Sequence, residues 1–343
     1  MLTLQQRTDA FAALGQVMED AASASPSSPE AVSLRKVMDR QQANNKWFTP
    51  DNVIRSAEAI AAMLRKDSLE SWMQAYELKE TQPKKLIAVI MAGNIPLVGF
   101  HDFLCVLITG NKILARTSSK DAELIKTVAG ILTGINPDYS DHIKFSEKIQ
   151  DDYDAVIATG SDNTSRYFEY YFGHKPHIFR KNRNSIAIIG RETTGQDIEA
   201  LGTDIFSYFG LGCRNVSKIY FEQGVDINKA IKRWSAWSDI IKHTPYANNY
   251  LYNKSLFLVN KKAFLDNGYS LLVKDEGFSS PVSVIYYDTF SSREQLADEL
   301  ALKTEKIQCM VSENDISFGQ TQYPLPYEYA DNKDTVKFIN SLK

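Results

Sequence analysis

One cysteine in the chain stands where a thiol can act as a nucleophile. Cys213 lies in the run Gly-Leu-Gly-Cys-Arg-Asn, residues 210–215. Because glycine has no Cβ and accepts strained turns, a substrate and a backbone N–H can both approach a thiol in such a segment. The other two cysteines, Cys105 and Cys309, lie in apolar runs, where cysteine usually packs as a small hydrophobic residue. Cys213 is therefore the candidate for nucleophilic catalysis, and an ordinary structural cysteine is the alternative that the local sequence leaves open.

Arg214 and Asn215 follow this cysteine directly. Polar side chains beside a tight turn commonly anchor it through hydrogen bonds to the backbone. We therefore expect these two residues to hold the Cys213 loop and not to react themselves.

Other common catalytic motifs are missing from the chain. It contains no GxGxxG fingerprint, no GxxxxGK(S/T) phosphate loop, no GxSxG elbow, no HExxH motif and no CxxC pair. His174 and His177 have the spacing of an HxxH pair, but Pro176 lies between them and would interrupt a helix. We expect no metal site there.

Length and charge limit the classes of protein to consider. With 343 residues, of which 43% are hydrophobic, the chain can bury the cores of two domains. A net charge of -3 provides no basic field for nucleic acid. The cluster Arg180, Lys181 and Arg183 is most simply a solvated surface, and contact with ligand phosphates is the alternative. Three cysteines without regular spacing favour a reducing cytoplasm over a disulfide framework. No run of about 18 apolar residues occurs, so we expect no membrane insertion.

Hydrophobic patterns predict helices first, and alternating strands and helices afterwards. Ser28 before Pro29 and Thr49 before Pro50 are typical helix starts, which predict a helical region over the first 80 residues. Short apolar runs then predict strands over 86–92, 112–116, 142–145, 154–159, 185–190, 216–221, 255–260 and 282–288. Helices are predicted over 97–109, 121–132, 161–172, 199–209 and 228–241. Such alternation implies an α/β fold with parallel sheets, in which ligands bind beyond the carboxyl ends of the strands.

Four turns occur in an order that matches one family. They are residues 92–97 (Ala-Gly-Asn-Ile-Pro-Leu), residues 110–119, the Thr-Gly-Ser turn at 159–161, and the Cys213 segment. Together with a weaker match at residues 275–282, they resemble the acyl-CoA reductase branch of the aldehyde dehydrogenase superfamily, typified by the reductase of bacterial luminescence (LuxC). The resemblance runs from about residue 84 to the C-terminus. Three earlier residues are also similar to this branch: Asn45, Trp47 and Phe48.

The resemblance implies an aldehyde dehydrogenase-like fold, with two α/β domains that contain parallel sheets after an N-terminal helical region. We expect the helical region over 1–80, a cofactor-binding domain over 81–184 and a catalytic domain over 185–315. Residues 316–343 are expected to serve oligomerisation or to return to the first domain, and residues 318–322 are a candidate edge strand.

The resemblance also assigns roles to individual residues. Cys213 corresponds to the nucleophile, and Asn94 to the residue whose amide helps to form the oxyanion hole. Glu276 corresponds to the glutamate that binds the nicotinamide ribose, in a segment with one extra residue here. The other expected cofactor-binding residues face the adenosine ribose or the pyrophosphate: Arg116, Ser118, Ser119, Gly160 and Ser161.

Two departures from the family pattern bear on the reaction. Residues 179–184 (Phe-Arg-Lys-Asn-Arg-Asn) lack the glutamate that activates water in hydrolytic relatives. A thioester reductase does not need to activate water, so it does not need that base. Without the base, the acyl-enzyme is also protected from hydrolysis. Ser119 stands where NAD-preferring relatives often carry a glutamate, and with Arg116 nearby this favours the 2′-phosphate of NADPH, NADH being the alternative.

The implied reaction is the NADPH-dependent reduction of a fatty acyl thioester to an aldehyde through a Cys213 thioacyl-enzyme. The donor is an acyl-CoA or an acyl-carrier-protein thioester, and the sequence does not choose between them. Because family members commonly assemble, a homo-oligomer or a complex of lipid metabolism is expected, without nucleic acid. Two other classes stay open: a cysteine acyltransferase or thioesterase without hydride transfer, and a non-catalytic scaffold of the same fold.

Overall fold

Four helices open the chain and pack against one another. They are α1 (Leu4–Ala22), α2 (Pro29–Asn44), α3 (Pro50–Met63) and α4 (Lys66–Gln74). On α1, the completely buried Phe11, Leu14 and Met18 have the spacing of a single helix face. The predicted start of α2 is confirmed, because the Ser28 side chain accepts a backbone N–H of the first turn and Pro29 occupies the first helical position.

A five-stranded parallel sheet follows, in the order β3-β2-β1-β4-β5. Its strands are β1 (Leu86–Ile90), β2 (Lys112–Arg116), β3 (Ile143–Phe145), β4 (Ala155–Thr159) and β5 (His177–Arg180). The helices among them are α5 (Phe100–Ile108), α6 (Ala122–Ile135) and α7 (Asp162–Phe172), with a 3₁₀ turn at Pro137–Asp141. The strand order reverses between β1 and β4, and ligands of such sheets bind beyond the carboxyl ends of the strands at this point.

The segment between β1 and α5 differs from its prediction. The strand ends at Ile90 and the helix begins only at Phe100, where the sequence predicted 86–92 and 97–109. Leu97 has a φ of 57°, in the left-handed region. A residue other than glycine is strained in that conformation and cannot belong to a right-handed helix, so the turn is longer than expected.

The second sheet has six strands in the order β11-β6-β7-β10-β9-β8, and all its pairs are parallel except β8 with β9. The strands are β6 (Asn184–Ile189), β7 (Val216–Glu222), β8 (Leu265–Asp266), β9 (Leu271–Lys274), β10 (Val284–Phe290) and β11 (Ile307–Val311). Its helices are α8 (Gly195–Phe206), α9 (Ile227–Lys232), α10 (Thr244–Val259) and α11 (Arg293–Ala301). Three 3₁₀ segments lie among them: Ser207–Gly210, Arg233–Lys242 and Thr304–Lys306.

The strand predicted over 255–260 is wrong, because these residues end α10. The apolar run Leu256, Phe257, Leu258 and Val259 has the composition of a buried strand, but only Phe257 is buried and Val259 is 80% exposed. The buried residues of α10 recur at helical spacing from its first turn: Tyr246, Tyr250, Asn253 and Phe257. A short apolar run does not by itself distinguish a strand from a helix.

The computed structural model describes residues 2–78, 83–150, 152–160 and 162–342, and the chain divides into two units. The first unit is Met1–Lys181 with Tyr323–Lys343, and the second is Asn182–Gln322. The N-terminal helices and the first sheet belong to the same unit, and α1 packs against α5 and α6 within it. The last segment, with a 3₁₀ turn at Ala330–Asn332 and α12 (Thr335–Asn340), belongs to that unit as well.

Arg180, at the end of β5, is buried. The prediction that it belongs to a solvated surface cluster is therefore wrong. The Arg180 side chain is 3% exposed and forms two bonds to Asp102 of α5, Nη2–Oδ1 at 2.7 Å and Nε–Oδ2 at 3.2 Å. It also donates to the carbonyl of Ala330 and the hydroxyl of Thr335 in the returning segment. A buried charge persists when it is paired and fully hydrogen-bonded, and Arg180 meets both conditions.

Across the described ranges, none of the helices has both the length and the apolar content needed to span a membrane.

Candidate functional site

The Cys213 loop connects α8 to β7 through a strained reversal of the backbone. Tyr208, Phe209 and Gly210 have consecutive left-handed φ values of 52°, 59° and 75°. Only glycine adopts this region without cost, whereas each of the other two costs about 1–2 kcal/mol. Burial compensates for the strain, because Tyr208 and Phe209 are 5% and 8% exposed and Phe209 stacks on His243 at a centroid distance of 4.1 Å. The loop after this reversal leaves Cys213 exposed.

Asn215 fixes the loop from both sides of the cysteine, as the sequence predicted. It is 2% exposed, and its Nδ2 donates to the carbonyls of Asp204 at 3.0 Å and Ser207 at 2.9 Å. Its Oδ1 accepts the N–H of Gly212 at 2.8 Å, and its own N–H donates to the Gly212 carbonyl at 3.0 Å. One buried amide therefore sets the course of the chain around Cys213.

Arg214 also anchors the loop, as expected. Its Nε donates to the carbonyl of Thr321 at 2.6 Å. Asp204, completely buried, accepts the N–H groups of Gly319 and Thr321 and the Thr321 hydroxyl, at 2.6, 2.9 and 2.8 Å. Burial raises the pKa of the Asp204 carboxyl, while these bonds and Arg214 act in the opposite direction. Residues 318–322 thus form turns held by Asp204, and the edge strand considered for them is wrong.

A second thiol lies close to the loop. Ser185 on β6 donates its hydroxyl to the Cys213 carbonyl at 2.9 Å and lies 2.9 Å from the sulfur of Cys309 on β11. Cys309 is half-buried, whereas the sequence predicted a core residue. Cys105 is buried as predicted, and burial raises the pKa of its thiol. Among the three cysteines, Cys213 alone is exposed.

Asn94 lies in the first unit, in the turn that follows β1, and its side chain is exposed. Two neighbours in this turn are fixed by side chains from elsewhere. The Pro96 carbonyl accepts the buried hydroxyl of Ser56 at 2.7 Å, and the Leu97 N–H donates to Asp121 Oδ2 at 2.7 Å. The exposed amide is therefore carried by a turn that is held in place.

Arg116 is the last residue of β2 and is exposed, and the turn after it carries the half-buried Ser118 and the exposed Ser119. This turn packs closely on the Asn94 turn. A Cβ on Gly93 would lie 2.6 Å from the Cβ of Ser118, so only glycine fits there. The sequence missed Asp121, which it predicted as the first residue of a helix and which instead bonds to the Asn94 turn.

Gly160 directly follows β4, and its N–H donates to the carbonyl of Arg180 at 3.3 Å. A Cβ here would lie 2.9 Å from the Phe168 ring and 3.0 Å from the Thr164 Cβ, so side chains of α7 pack closely against this glycine. Ser161, predicted beside it, lies outside the described residues. The expected residues of the first unit thus come from turns at the carboxyl ends of β1, β2 and β4, which are neighbouring strands.

Glu276 lies in the second unit with Cys213, exposed on the loop after β9. That loop is fixed by two residues of β7: the Ser217 hydroxyl donates to the Phe278 carbonyl at 2.7 Å, and Lys218 Nζ donates to the Asp275 carbonyl. Lys218 is completely buried, and burial lowers its pKa. Ser217 lies nearer than Lys218 to the start of β7, the end of the strand that follows Cys213. Because the Phe278 carbonyl bonds to Ser217, the loop runs back toward that end of β7.

Among the described residues there is no cluster of histidine, cysteine or carboxylate side chains that could hold a metal ion. His177 instead bonds to the Lys175 carbonyl through Nδ1 at 2.9 Å and stacks on Phe179.

Solved structures of aldehyde dehydrogenases share this fold. Indole-3-acetaldehyde dehydrogenase AldA of P. syringae, solved with NAD+, has a TM-score of 0.63 at 14% identity and covers 87% of this chain and 69% of its own. Aldehyde dehydrogenase 21 of Physcomitrella patens has a TM-score of 0.62 at 11% identity, over 91% and 79% of the two chains. An NADP-dependent enzyme of E. coli has a TM-score of 0.62 at 11% identity, over 86% and 70%. The fold expected from the sequence is confirmed.

Sequence comparison places the chain more narrowly. A long-chain acyl-protein thioester reductase of Aliivibrio fischeri is 24% identical over 230 residues, which cover 61% of this chain and 47% of that protein. The match thus spans about half the length of that relative. Residues 27–230, more than half of the 343, match the family described as acyl-CoA reductase (LuxC). The chain belongs to the acyl-CoA reductase (LuxC) family.

Proposed function

We propose that the protein reduces a fatty acyl thioester to an aldehyde, with NADPH as the reductant and Cys213 as the nucleophile. The observation that carries the proposal is the exposed Cys213 thiol on a strained loop that Asn215 and Arg214 fix by side-chain bonds. Such strain is typically retained where a reacting group must be held in one geometry. The family, and the similarity to the long-chain acyl-protein thioester reductase of Aliivibrio fischeri, support the same reaction.

Acylation is the first step. The Cys213 thiolate attacks the thioester carbonyl carbon, a carbon–sulfur bond to Cys213 forms, and the bond to the donor sulfur breaks. The donor leaves as a thiolate and takes up a proton from solvent. We assign Asn94 as a side-chain donor to the oxyanion of the tetrahedral intermediate, since a donor of this kind is worth about 3 kcal/mol of transition-state stabilisation.

The residues of the first unit suit a nicotinamide dinucleotide. Gly93 and Gly160 lie in the turns at the carboxyl ends of β1 and β4, where ligands of such sheets bind, and side chains of the neighbouring segments pack closely on both glycines. A bound cofactor would supply the hydride that reduces the thioacyl group. Arg116, Ser118 and Ser119 would hold the adenosine ribose, and the exposed Arg116 next to an uncharged Ser119 would accept the 2′-phosphate of NADPH.

The remaining cofactor residues belong to the two other turns. Gly160, together with Ser161, would face the pyrophosphate at the start of α7. Glu276 would accept the hydroxyl groups of the nicotinamide ribose, on a loop that Lys218 fixes to β7.

The thioacyl group would be protected from water. In residues 179–184, Phe179 is buried and Arg180 is paired with Asp102, and the stretch contains no carboxylate. No base from this segment is available to activate water, so reduction would prevail over hydrolysis.

The acyl donor would be an acyl-CoA or an acyl-carrier-protein thioester, and because the Aliivibrio fischeri relative is an acyl-protein thioester reductase, both donors should be tested. We further propose a cytoplasmic protein that acts as a homo-oligomer or within a complex of lipid metabolism, without nucleic acid.

The test is to incubate the protein with long-chain acyl-CoA, or with an acyl-carrier protein, first without and then with NADPH. Intact mass would follow the acyl adduct, absorbance the NADPH, and peptide mapping the modified residue. We expect an adduct on Cys213 that disappears as NADPH is consumed and aldehyde is released. Cys213→Ala should abolish the adduct, and Cys105→Ala should retain it, because the buried Cys105 has a raised pKa.

Two outcomes would contradict the proposal. An adduct that NADPH does not discharge would identify an acyltransferase or thioesterase. Absence of any adduct with both donors would identify a non-catalytic protein of the same fold.

A further inference from the structure

The carboxylate of Asp121 has an unusual place for a residue at a helix start. Asp121 is the N-cap of α6, where an aspartate usually accepts an N–H of the first helical turn, but its side chain makes no such bond. Instead Oδ2 accepts the N–H of Leu97, 24 residues earlier, at 2.7 Å. The Asp121 side chain therefore does not cap its own helix but binds the turn that carries Asn94.

This bond holds a strained residue. Leu97 has a φ of 57° and is 5% exposed, so the backbone there is unfavourable unless surrounding contacts impose it. The same turn is fixed at its other end, where Gly93 packs against Ser118 without room for a Cβ. Asn94 lies between these two attachments, one residue after Gly93 and three before Leu97.

The arrangement is costly to the fold. Asp121 is 4% exposed, and its Oδ1 has no hydrogen-bond partner among the residues that the structure describes. A buried carboxylate with a single donor loses hydration that one bond does not replace. Burial accordingly raises the pKa of Asp121 to about 7, with the Leu97 N–H acting against it. An apolar residue would suit the stability of the fold better, which points to a functional reason for an oxygen acceptor at this position.

We propose that Asp121 is a positioning residue, which sets the oxyanion-binding Asn94 turn against the Ser118–Ser119 turn through its bond to the Leu97 N–H. The inference rests on the proposed acylation of Cys213 and adds a residue that acts on it through Asn94. Asp121 touches neither the substrate nor the cofactor in this role, and its effect is on the placement of the amide donor.

Two substitutions separate this role from helix capping. Asp121→Ser keeps a good N-cap residue but is too short to reach Leu97. Asp121→Asn keeps an oxygen at the right distance and removes only the charge. Glu123→Gln is the matched control, because Glu123 lies in the first turn of the same helix and bonds outward to Arg40 and Gln41.

Three quantities would be measured for each variant: the single-turnover rate of Cys213 acylation without cofactor, the amide hydrogen exchange of the peptide that contains Leu97, and the unfolding midpoint at pH 8. We expect Asp121→Ser to slow acylation by between about tenfold and about a hundredfold and to speed exchange at Leu97. Asp121→Asn should recover the rate to within about threefold and unfold at a higher temperature than the wild type. Glu123→Gln should match the wild type in rate and exchange.

The inference is overturned if Asp121→Ser acylates at the wild-type rate, or if exchange at Leu97 is unchanged. It is also overturned if both Asp121 variants only lower the unfolding midpoint, which is what a simple structural residue would do. A wild-type protein that is not acylated at all would instead refute the proposed function, and hydrogen exchange would still report whether Asp121 holds Leu97.

Discussion

The side-chain oxygen of Asn215 accepts the N–H of Gly212 at 2.8 Å, so a buried amide closes the short loop that carries Cys213. The same side chain reaches back to the carbonyl of Ser207, before the left-handed residues of the reversal. Asn215 makes these contacts with two N–H donors and a separate carbonyl acceptor, a combination that an amide side chain provides. The loop thus depends on one residue that does not react.

We expect Asn215→Ala to lower the free energy of unfolding by about 3 kcal/mol, because it leaves several buried backbone groups without partners. Asn215→Asp should be worse at pH 8 than at pH 5, since a carboxylate would face the carbonyls that Nδ2 now binds. Urea denaturation at the two pH values measures both effects. Asn248→Asp is the control, because Asn248 is exposed on α10 and should show neither loss. Equal stability of Asn215→Asp at both pH values would contradict this account.

Asn94→Ala should slow the acylation of Cys213 by about a hundredfold, the typical effect of losing one oxyanion donor. Its unfolding midpoint should be that of the wild type, since the Asn94 side chain is exposed. The rate is measured by intact mass over time with a saturating acyl donor. An acylation rate within a factor of about two of the wild type would show that Asn94 only shapes its turn.

Cofactor preference should depend on the turn after β2. Arg116→Ala should raise the KM for NADPH by about tenfold and leave that for NADH unchanged, because only NADPH carries the 2′-phosphate. Ser119→Glu should reduce kcat/KM for NADPH and favour NADH, since a carboxylate repels the phosphate and accepts the free ribose hydroxyls. Steady-state kinetics with both cofactors tests the pair. If Arg116→Ala changes both KM values equally, the phosphate is bound elsewhere.

Asp121 also predicts how stability changes with pH. Its folded pKa is about 7, against an ordinary value of 3.8, so the folded state binds the proton more tightly between these values. The free energy of unfolding should therefore fall as the pH rises from about 4 to about 7, by on the order of 4 kcal/mol from this group alone. Asp121→Asn should remove this slope, and its advantage over the wild type should be largest at pH 8 and absent near pH 4.

Urea denaturation across this pH range measures the slope for both proteins. Glu123→Gln provides a control of opposite sign, because Arg40 lowers the pKa of Glu123. A constant difference between Asp121→Asn and the wild type at every pH would show that the carboxyl titrates normally.

Much of the fold and of the candidate site could be predicted because the signals are local. Apolar runs followed by Gly93 or Gly160 predicted strands with ligand-facing turns, and the glycines beside Cys213 indicated an accessible thiol. The anchoring roles of Arg214 and Asn215 were also predicted, because polar side chains beside a turn commonly form hydrogen bonds to its backbone. These predictions depend on neighbours within a few residues.

The sequence by itself determined the α/β class, the order of the turns that follow β1, β2 and β4, and the accessibility of Cys213 among three cysteines. Only the tertiary structure decided which charged residues are buried and what they bind. Arg180 pairs with Asp102, which lies 78 positions away in the sequence. Asp121 binds the N–H of Leu97, 24 positions away, and not an N–H of its own helix. The apolar end of α10 became a helix because its buried face continues a pattern that began at Tyr246. Local sequence specifies which bonds a side chain can make, but packing between distant segments selects the bond that forms, because burial removes the competing water.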